Sequence, residues 1–128
     1  MAKEASKSSV SIFLSKAEEF YDGAAKSIEE KKYDFSMFSS TQAIILANDA
    51  FCIFFLGKRP SKDHREAVNL FSEAAQRLGD ASFAKTIANA FDEQAESGYT
   101  ERLTKPSEAA EAIVNARKFI DFVREKVA

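Results

Sequence analysis

The stretch "DFSMFSSTQAIILANDAFCIFFLG", residues 34–57, decides the fold. Its apolar residues cover every side of a helix rather than one stripe, which is typical of a helix surrounded by protein. Asp34 is suited to cap the first turn of such a helix, and Gly57 is suited to end it. The pattern therefore predicts a helix that reaches Leu56 and lies in the middle of a bundle or at a subunit interface.

The rest of the chain shows apolar residues at spacings of three and four, with charged residues between them, as amphipathic helices require. This spacing predicts four further helices, over residues 10–28, 64–78, 80–96 and 106–128. No segment has the strict alternation that a strand needs. We predict a single all-α domain over residues 1–128, an up-and-down bundle of four long helices plus a shorter fifth helix.

Helix boundaries follow from a few residues. Ser61 or Asp63 can cap the helix that starts at His64, because a short polar side chain accepts hydrogen bonds from the first free N–H groups. Gly98 and Pro106 bracket the connection before the last helix. Pro106 fits the first turn, where its missing N–H would have no partner within the helix.

The charge and cysteine content of the sequence limit the ligands and the cellular compartment that we expect for the protein. A net charge of −2 and a pI near 5.5 argue against a surface that is basic throughout, so any site for a polyanion must be local. Cys52 is the single cysteine, which excludes an intramolecular disulfide and fits a reducing compartment. The most apolar run, Ala43–Gly57, is interrupted by Asn48 and Asp49 and is too short to cross a bilayer. A cytoplasmic location and no membrane span are predicted.

Cofactor and metal motifs are missing from the sequence. It has no Gly-x-Gly-x-x-Gly, and Gly57 lacks the upstream glycine and the hydroxyl of a P-loop. A ferritin-like di-iron site needs two Glu-x-x-His pairs, whereas this chain has one histidine. No cofactor and no metal site are predicted.

Polar residues within the apolar helix form a candidate polar seam of Gln42, Asn48 and Asp49. A buried carboxylate is costly unless a cation or several donors meet it. The seam either fixes the register of the helices or contacts a ligand. Cys52, near it, is most simply a small buried apolar residue.

The segment "GKRPSKDHREA", residues 57–67, concentrates positive charge around the one histidine, His64. An imidazole can move a proton of RNA while a guanidinium holds the phosphate, so Arg59 and His64 form a candidate catalytic pair. The same segment is also a simple connection between two helices. Its candidate phosphate-binding residues are Lys58, Arg59, Lys62 and Arg65.

Two long segments resemble the HEPN superfamily (higher eukaryotes and prokaryotes nucleotide-binding). The first is "YDFSMFSSTQAIILANDAFCIFFLGKRPSKDHREAVNLF", with its "NDA", "LGKR" and "DH" motifs, and the second is "SGYTERLTKPSEAAEAIVNARKFIDFVREKV". The resemblance implies a small helical bundle that commonly forms a homodimer. Members of this family include metal-independent RNases of toxin–antitoxin or defence systems, often found beside a nucleotidyltransferase partner. Other members are non-catalytic, so the resemblance implies one of these two roles.

The resemblance also bears on catalysis. The RNase signature is an Arg followed four to six residues later by His, a spacing that Arg59 and His64 satisfy. In RNase members it lies later in the chain, which corresponds here to the region around Gln94 and Tyr99, where no His occurs. The favoured hypothesis is a non-catalytic module that binds a nucleotide or RNA. The alternative is a divergent metal-independent RNase that uses Arg59 and His64, and a bundle with an unrelated binding role remains open.

Overall fold

The computed structural model describes residues 2–61 and 63–128, and it confirms the all-α bundle. Over these residues it contains five helices and one pair of two-residue strands. In chain order the elements are β1 (Lys3–Glu4), α1 (Ser9–Glu29), α2 (Tyr33–Leu56), β2 (Lys58–Arg59), α3 (His64–Gln76), α4 (Ala84–Tyr99) and α5 (Pro106–Val127). The shortest helix is α3, with 13 residues.

The central position predicted for the apolar helix is confirmed, because α2 contacts each of the other four helices. Its middle is buried, and the Phe51 ring lies at the centre of an aromatic cluster with Phe55, Phe71 and Phe122. Small residues of α1, such as Ala17 and Ala24, are fully buried and allow α1 to pack closely. The core therefore surrounds α2.

Helix α2, with 24 residues, is longer than the apolar run Ala43–Gly57. By length and hydropathy it is the one helix of the described residues that could cross a bilayer. However, 72% of its most apolar window is buried inside the bundle, as in the core helix of a soluble protein. Its composition is therefore weak support for a membrane span.

Several predicted boundaries are confirmed. Gly57 adopts the left-handed conformation, with φ of 68°, and ends α2. Asp63 caps α3, since its side chain accepts hydrogen bonds from the backbone N–H groups of Arg65 and Glu66. Pro106 occupies the first turn of α5.

Other boundary predictions were wrong. Asp34 lies inside the first turn of α2, which begins one residue earlier, and its carboxylate accepts from the Thr104 N–H instead. Asp80 does not begin α4; it accepts from the Ser82 N–H and hydroxyl in a turn before that helix. Neither aspartate therefore caps the helix to which the sequence assigned it.

Gly98 was also misassigned, because it lies within α4 rather than in the following connection. A Cβ atom there would stand 2.8 Å from Cδ2 of Phe38. The glycine is therefore required by the close approach of α4 to α2, not by a turn.

The prediction of no strands missed β1 and β2, which pair antiparallel with Lys3 opposite Arg59 and Glu4 opposite Lys58. The Ala5 N–H extends this pairing by donating to the Gly57 carbonyl. The N-terminal segment is thereby fixed against the start of the basic segment.

Candidate functional site

The basic segment after α2 has a defined conformation on both sides of residue 62. Pro60 is buried, and the Ser61 N–H donates to Oε1 of Glu66 at 2.9 Å. This hydrogen bond lowers the pKa of Glu66. These contacts and the Asp63 cap hold Ser61 and Asp63 against the start of α3. The backbone of Arg59 is held by its pairing with Lys3 of β1.

Arg59 is held by two groups. Its Nε donates to Oδ2 of Asp49 at 3.1 Å, and its guanidinium carbon lies 4.4 Å from the centre of the Phe13 ring. Because an arginine has five N–H donors and Nε supplies one of them, four remain for another acceptor. The Arg59 side chain is 47% exposed, so those donors are accessible.

Asp49 is buried, with only 4% of its surface exposed. Burial raises the pKa of Asp49 to about 6, and the neighbouring Arg59 charge opposes this rise without cancelling it. The sequence predicts that a buried carboxylate here meets a cation or several donors, and the cation that Asp49 meets is Arg59 of β2.

Asp49 and Arg59 lie in a cleft of about 710 Å³ between α1, α2, α4 and the basic segment. Over the described residues, its walls combine two cations, the Asp49 carboxylate, amides and aromatic rings. The residues that line it include Lys3, Phe20, Phe38, Gln42, Asp49, Arg59, Phe91, Gln94 and Tyr99. Such a mixture of a cation with aromatic and amide groups suits a ligand that is both anionic and aromatic.

A second depression, of about 620 Å³, lies at the turn between α1 and α2 and is lined by residues such as Lys32, Tyr33 and Leu103. None of the predicted site residues that the structure describes lines it. The first cleft is therefore the candidate functional site.

Gln42 and Gln94 contact each other in this cleft. Nε2 of Gln94, on α4, donates to Oε1 of Gln42, on α2, at 2.8 Å. Gln94 also lies 3.5 Å from the Thr41 hydroxyl. The two amides thus join the helices at a point where both meet solvent.

The predicted polar seam divides among three different elements. Gln42 contacts α4 and Asp49 contacts β2, whereas Asn48 is buried and donates from Nδ2 to the Ala67 carbonyl of α3 at 3.3 Å. Cys52 is buried beside Asn48, and burial raises the pKa of its thiol. Asn48 and Cys52 therefore belong to the packing of α3 on α2, and only Gln42 and Asp49 face the cleft.

His64 occupies the first position of α3 and stacks on Phe91, with ring centres 5.8 Å apart. Its Nδ1 lies 3.7 Å from Oδ1 of Asp92, and 46% of its side chain is exposed. His64 does not line the cleft, although Phe91 does. Of the predicted catalytic pair, Arg59 therefore lines the cleft, while His64 contacts one of its lining residues without lining it.

The predicted phosphate-binding residues also separate. Arg59 lines the cleft, while Lys58 and Arg65 are exposed and are not part of its lining. Lys62 lies outside the described residues. Among the described residues, the cations that line the cleft are Lys3 and Arg59.

Several lining residues were not predicted as site residues. Lys3 comes from the N-terminal part of the chain, and Phe20, Phe38 and Phe91 are aromatic residues of three different helices. One signal was available for Gln94, a polar residue within the apolar stripe of α4. Its pairing with Gln42 could not be read from the sequence, because 52 residues separate the two.

The model of the HEPN domain family matches residues 10–126, nearly the whole chain. The chain belongs to the HEPN domain family. Comparison with curated proteins gives no match. Family membership confirms the resemblance drawn from the sequence and makes the chain a helical module with a nucleotide- or RNA-related role.

In this HEPN chain the cleft includes the region to which the resemblance assigns the RNase signature. Gln94 and Tyr99 line it, and the Tyr99 ring meets the Phe38 ring edge to face, with centres 6.3 Å apart. The position is thus occupied by an amide and a phenol ring, and neither is the Arg or the His of the signature.

Proposed function

We propose that this HEPN chain binds a nucleotide, either free or as an unpaired nucleotide of single-stranded RNA, in the cleft and does not cleave it. The observation that carries the proposal is Arg59. It lines an aromatic cleft, is fixed by Asp49 and Phe13, and keeps donors that can take a phosphate.

Aromatic residues supply the second half of the recognition. Phe20, Phe38, Phe91 and Tyr99 line the same cleft, and Tyr99 is 78% exposed. A base that stacks on an aromatic side chain gains about 1 to 3 kcal/mol, and stacking tolerates any base. A phosphate at Arg59 and a base on these rings therefore fit one ligand.

The chemistry of the cleft supports binding rather than cleavage. General acid–base catalysis needs a group of suitable pKa within hydrogen-bond reach of the reacting atoms. The one imidazole, that of His64, stacks on Phe91 and does not line the cleft, and the cleft carboxylate Asp49 is hydrogen-bonded to Arg59. We therefore propose that the basic segment positions phosphate without chemistry.

The test measures binding and cleavage on the same protein, with AMP and a short single-stranded RNA in EDTA. We expect binding that weakens as salt is raised, because phosphate contacts release counterions. Arg59→Gln should weaken binding at least tenfold, while Lys16→Gln, which removes an exposed cation of α1 outside the cleft lining, should leave it unchanged. Absence of binding by the wild type at millimolar AMP and at micromolar RNA would overturn the proposal.

The alternative function is a divergent metal-independent RNase. It is favoured by one observation, the contact of His64 with Phe91, since a phosphate that extends beyond the cleft past this ring could reach the imidazole. EDTA-resistant cleavage that is lost in both His64→Ala and Arg59→Gln would establish the alternative and contradict the binding-only proposal.

We also propose that the chain acts as a homodimer. HEPN domains often form dimers. Phe35, Leu103 and Val114 are large apolar residues at least half exposed, and their burial in a partner would be favourable. Light scattering at tens of micromolar should give twice the mass of the chain, and a monomer at that concentration would contradict the dimer.

We also propose a cellular system in which the chain acts. The family resemblance favours a cytoplasmic toxin–antitoxin or nucleotidyltransferase-linked system, with a nucleotidyltransferase partner. The single, buried Cys52 is compatible with a reducing compartment. We propose that residues 1–128 act in this system as one helical domain.

A further inference from the structure

The hydrogen-bonded glutamines in the cleft have a fixed orientation. The Thr41 hydroxyl donates to the Phe38 carbonyl at 2.9 Å. A hydroxyl has one hydrogen, so Thr41 can only accept from Gln94, which lies 3.5 Å away. The Gln94 atom that faces Thr41 must therefore be the amide nitrogen, Nε2.

This orientation determines that of Gln42. The nitrogen of Gln94 also faces Gln42, at 2.8 Å, so the Gln42 atom on that side must be its oxygen, Oε1. Each amide then has one atom left over, Oε1 of Gln94 and Nε2 of Gln42. The two side chains, joined at 2.8 Å, thus offer one free hydrogen-bond acceptor and one free donor.

Both remaining atoms are accessible to a ligand. Among the described residues, the buried side-chain polar atoms without a partner are Oγ of Ser40 and Oγ1 of Thr104, and neither glutamine is among them. Since Gln42 and Gln94 line the cleft, their free amide atoms can exchange water for a ligand there.

We infer that Gln42 and Gln94 read the hydrogen-bonding edge of the base in the bound nucleotide. Every nucleobase carries a donor next to an acceptor on an edge, as adenine does at N6 and N1, and this complements the pair. Phe38 precedes Gln42 by one turn of α2, and Phe91 precedes Gln94 by about one turn of α4, so a stacking surface adjoins each amide.

The separation between the proposed base site and Arg59 also suits a nucleotide. Asp49, which holds Arg59, lies seven residues after Gln42 on α2, so the two ends of the site are about 10 Å apart along the helix. A mononucleotide is long enough to span this separation. The inference rests on the proposed function and adds to it the residues that determine base specificity.

A single isosteric change should alter the specificity. Gln42→Glu keeps an oxygen facing Nε2 of Gln94 but converts the free donor into an acceptor, so the pair then presents two acceptors. Guanine has two adjacent donors, N1–H and its exocyclic amine, whereas adenine has no such edge. We expect the ratio of GMP to AMP affinity to rise at least fivefold, since one bidentate pair discriminates by about 1 to 3 kcal/mol.

Calorimetric titrations of wild type, Gln42→Glu and Gln42→Met with AMP, GMP and ribose 5-phosphate provide the test. The added negative charge of Gln42→Glu weakens all three ligands alike and cancels in the GMP-to-AMP ratio. Gln42→Met should weaken the binding of both nucleotides while changing the GMP-to-AMP affinity ratio by less than fivefold. It should leave the affinity for ribose 5-phosphate unchanged. If Gln42→Glu does not fold by circular dichroism, Gln94→Glu provides the same two-acceptor edge after rotation of the Gln42 amide.

The outcomes separate the two proposals. If wild type binds AMP more tightly than ribose 5-phosphate but the glutamate variant keeps the same GMP-to-AMP ratio, base reading by these amides is wrong and nucleotide binding stands. If ribose 5-phosphate binds as tightly as AMP, no base is read and the inference is overturned. If wild type binds neither nucleotide, the proposed function fails and the inference fails with it.

Discussion

Two carboxylate–arginine contacts in this protein differ in almost every physical respect. Glu18 of α1 accepts hydrogen bonds from both Nη atoms of Arg117, at 2.8 and 3.0 Å, and from Nε of Arg124. Asp49 of α2 accepts a single bond from Arg59. The first contact joins α1 to α5 near the surface, and the second lies in the cleft.

The pKa values show the consequence of this difference. Hydrogen bonding to Arg117 lowers the pKa of Glu18 to about 2, whereas burial raises the pKa of Asp49 to about 6. A lowered carboxyl pKa means that the fold favours the charge, and a raised one means that the fold opposes it. The Glu18 contact stabilises the bundle, while burial of the Asp49 charge costs stability that its contact with Arg59 offsets only in part.

The same conversion of acid to amide should therefore have opposite effects at the two positions. The larger effect is expected at Asp49. Asp49→Asn removes a charge that the fold opposes, and the amide oxygen can still accept from Arg59. We expect stabilisation by about 2 kcal/mol at pH 7, because a pKa raised from 3.8 to about 6 corresponds to no more than about 3 kcal/mol.

The pH dependence provides the control for Asp49. Its folded pKa exceeds the unfolded value, so the wild type loses stability as pH rises from about 4 to about 6. The Asn variant has no such titration, and the difference between the two proteins should vanish near pH 4. Urea unfolding at pH 4 and pH 7 measures it, and a destabilised Asn variant at pH 7 would contradict the assignment.

The sequence predicted one of these contacts and missed the other for physical reasons. An aspartate within the apolar residues 34–57 must meet a cation or donor when buried, so a partner for Asp49 was expected. Glu18 and Arg117 instead lie on the charged sides of amphipathic helices, and 99 residues separate them. Only the packing of α1 against α5 shows that they meet.

More of the fold than of the candidate site could be predicted from the sequence. Periodicity located the helices because it reflects burial along each one separately. The cleft depends on register between elements, as in the contact of Gln42 with Gln94 and the pairing of Lys3 with Arg59. The two-residue strand that contains Lys3 is too short and too polar to show any alternation, so nothing in its sequence indicated a contact with the cleft.

The smaller effect is expected at Glu18, where the charge is favoured but is partly exposed to solvent. Glu18→Gln should destabilise the protein by about 1 to 2 kcal/mol at pH 7, less than the lowered pKa alone implies, because solvent screens the pair. Its folded pKa lies below the ordinary value of 4.5, so this stability is fully present above pH 4.5 and is lost as pH falls toward 2. Urea unfolding at pH 7 and pH 3 should show the cost shrinking at the lower pH. Glu19→Gln, at the exposed neighbouring position, should change the free energy of unfolding by less than about 0.5 kcal/mol at either pH. A cost for Glu18→Gln that is equal at pH 7 and pH 3 would show that the side chain acts by packing and not by its charge, and the contrast with Asp49 would then be lost.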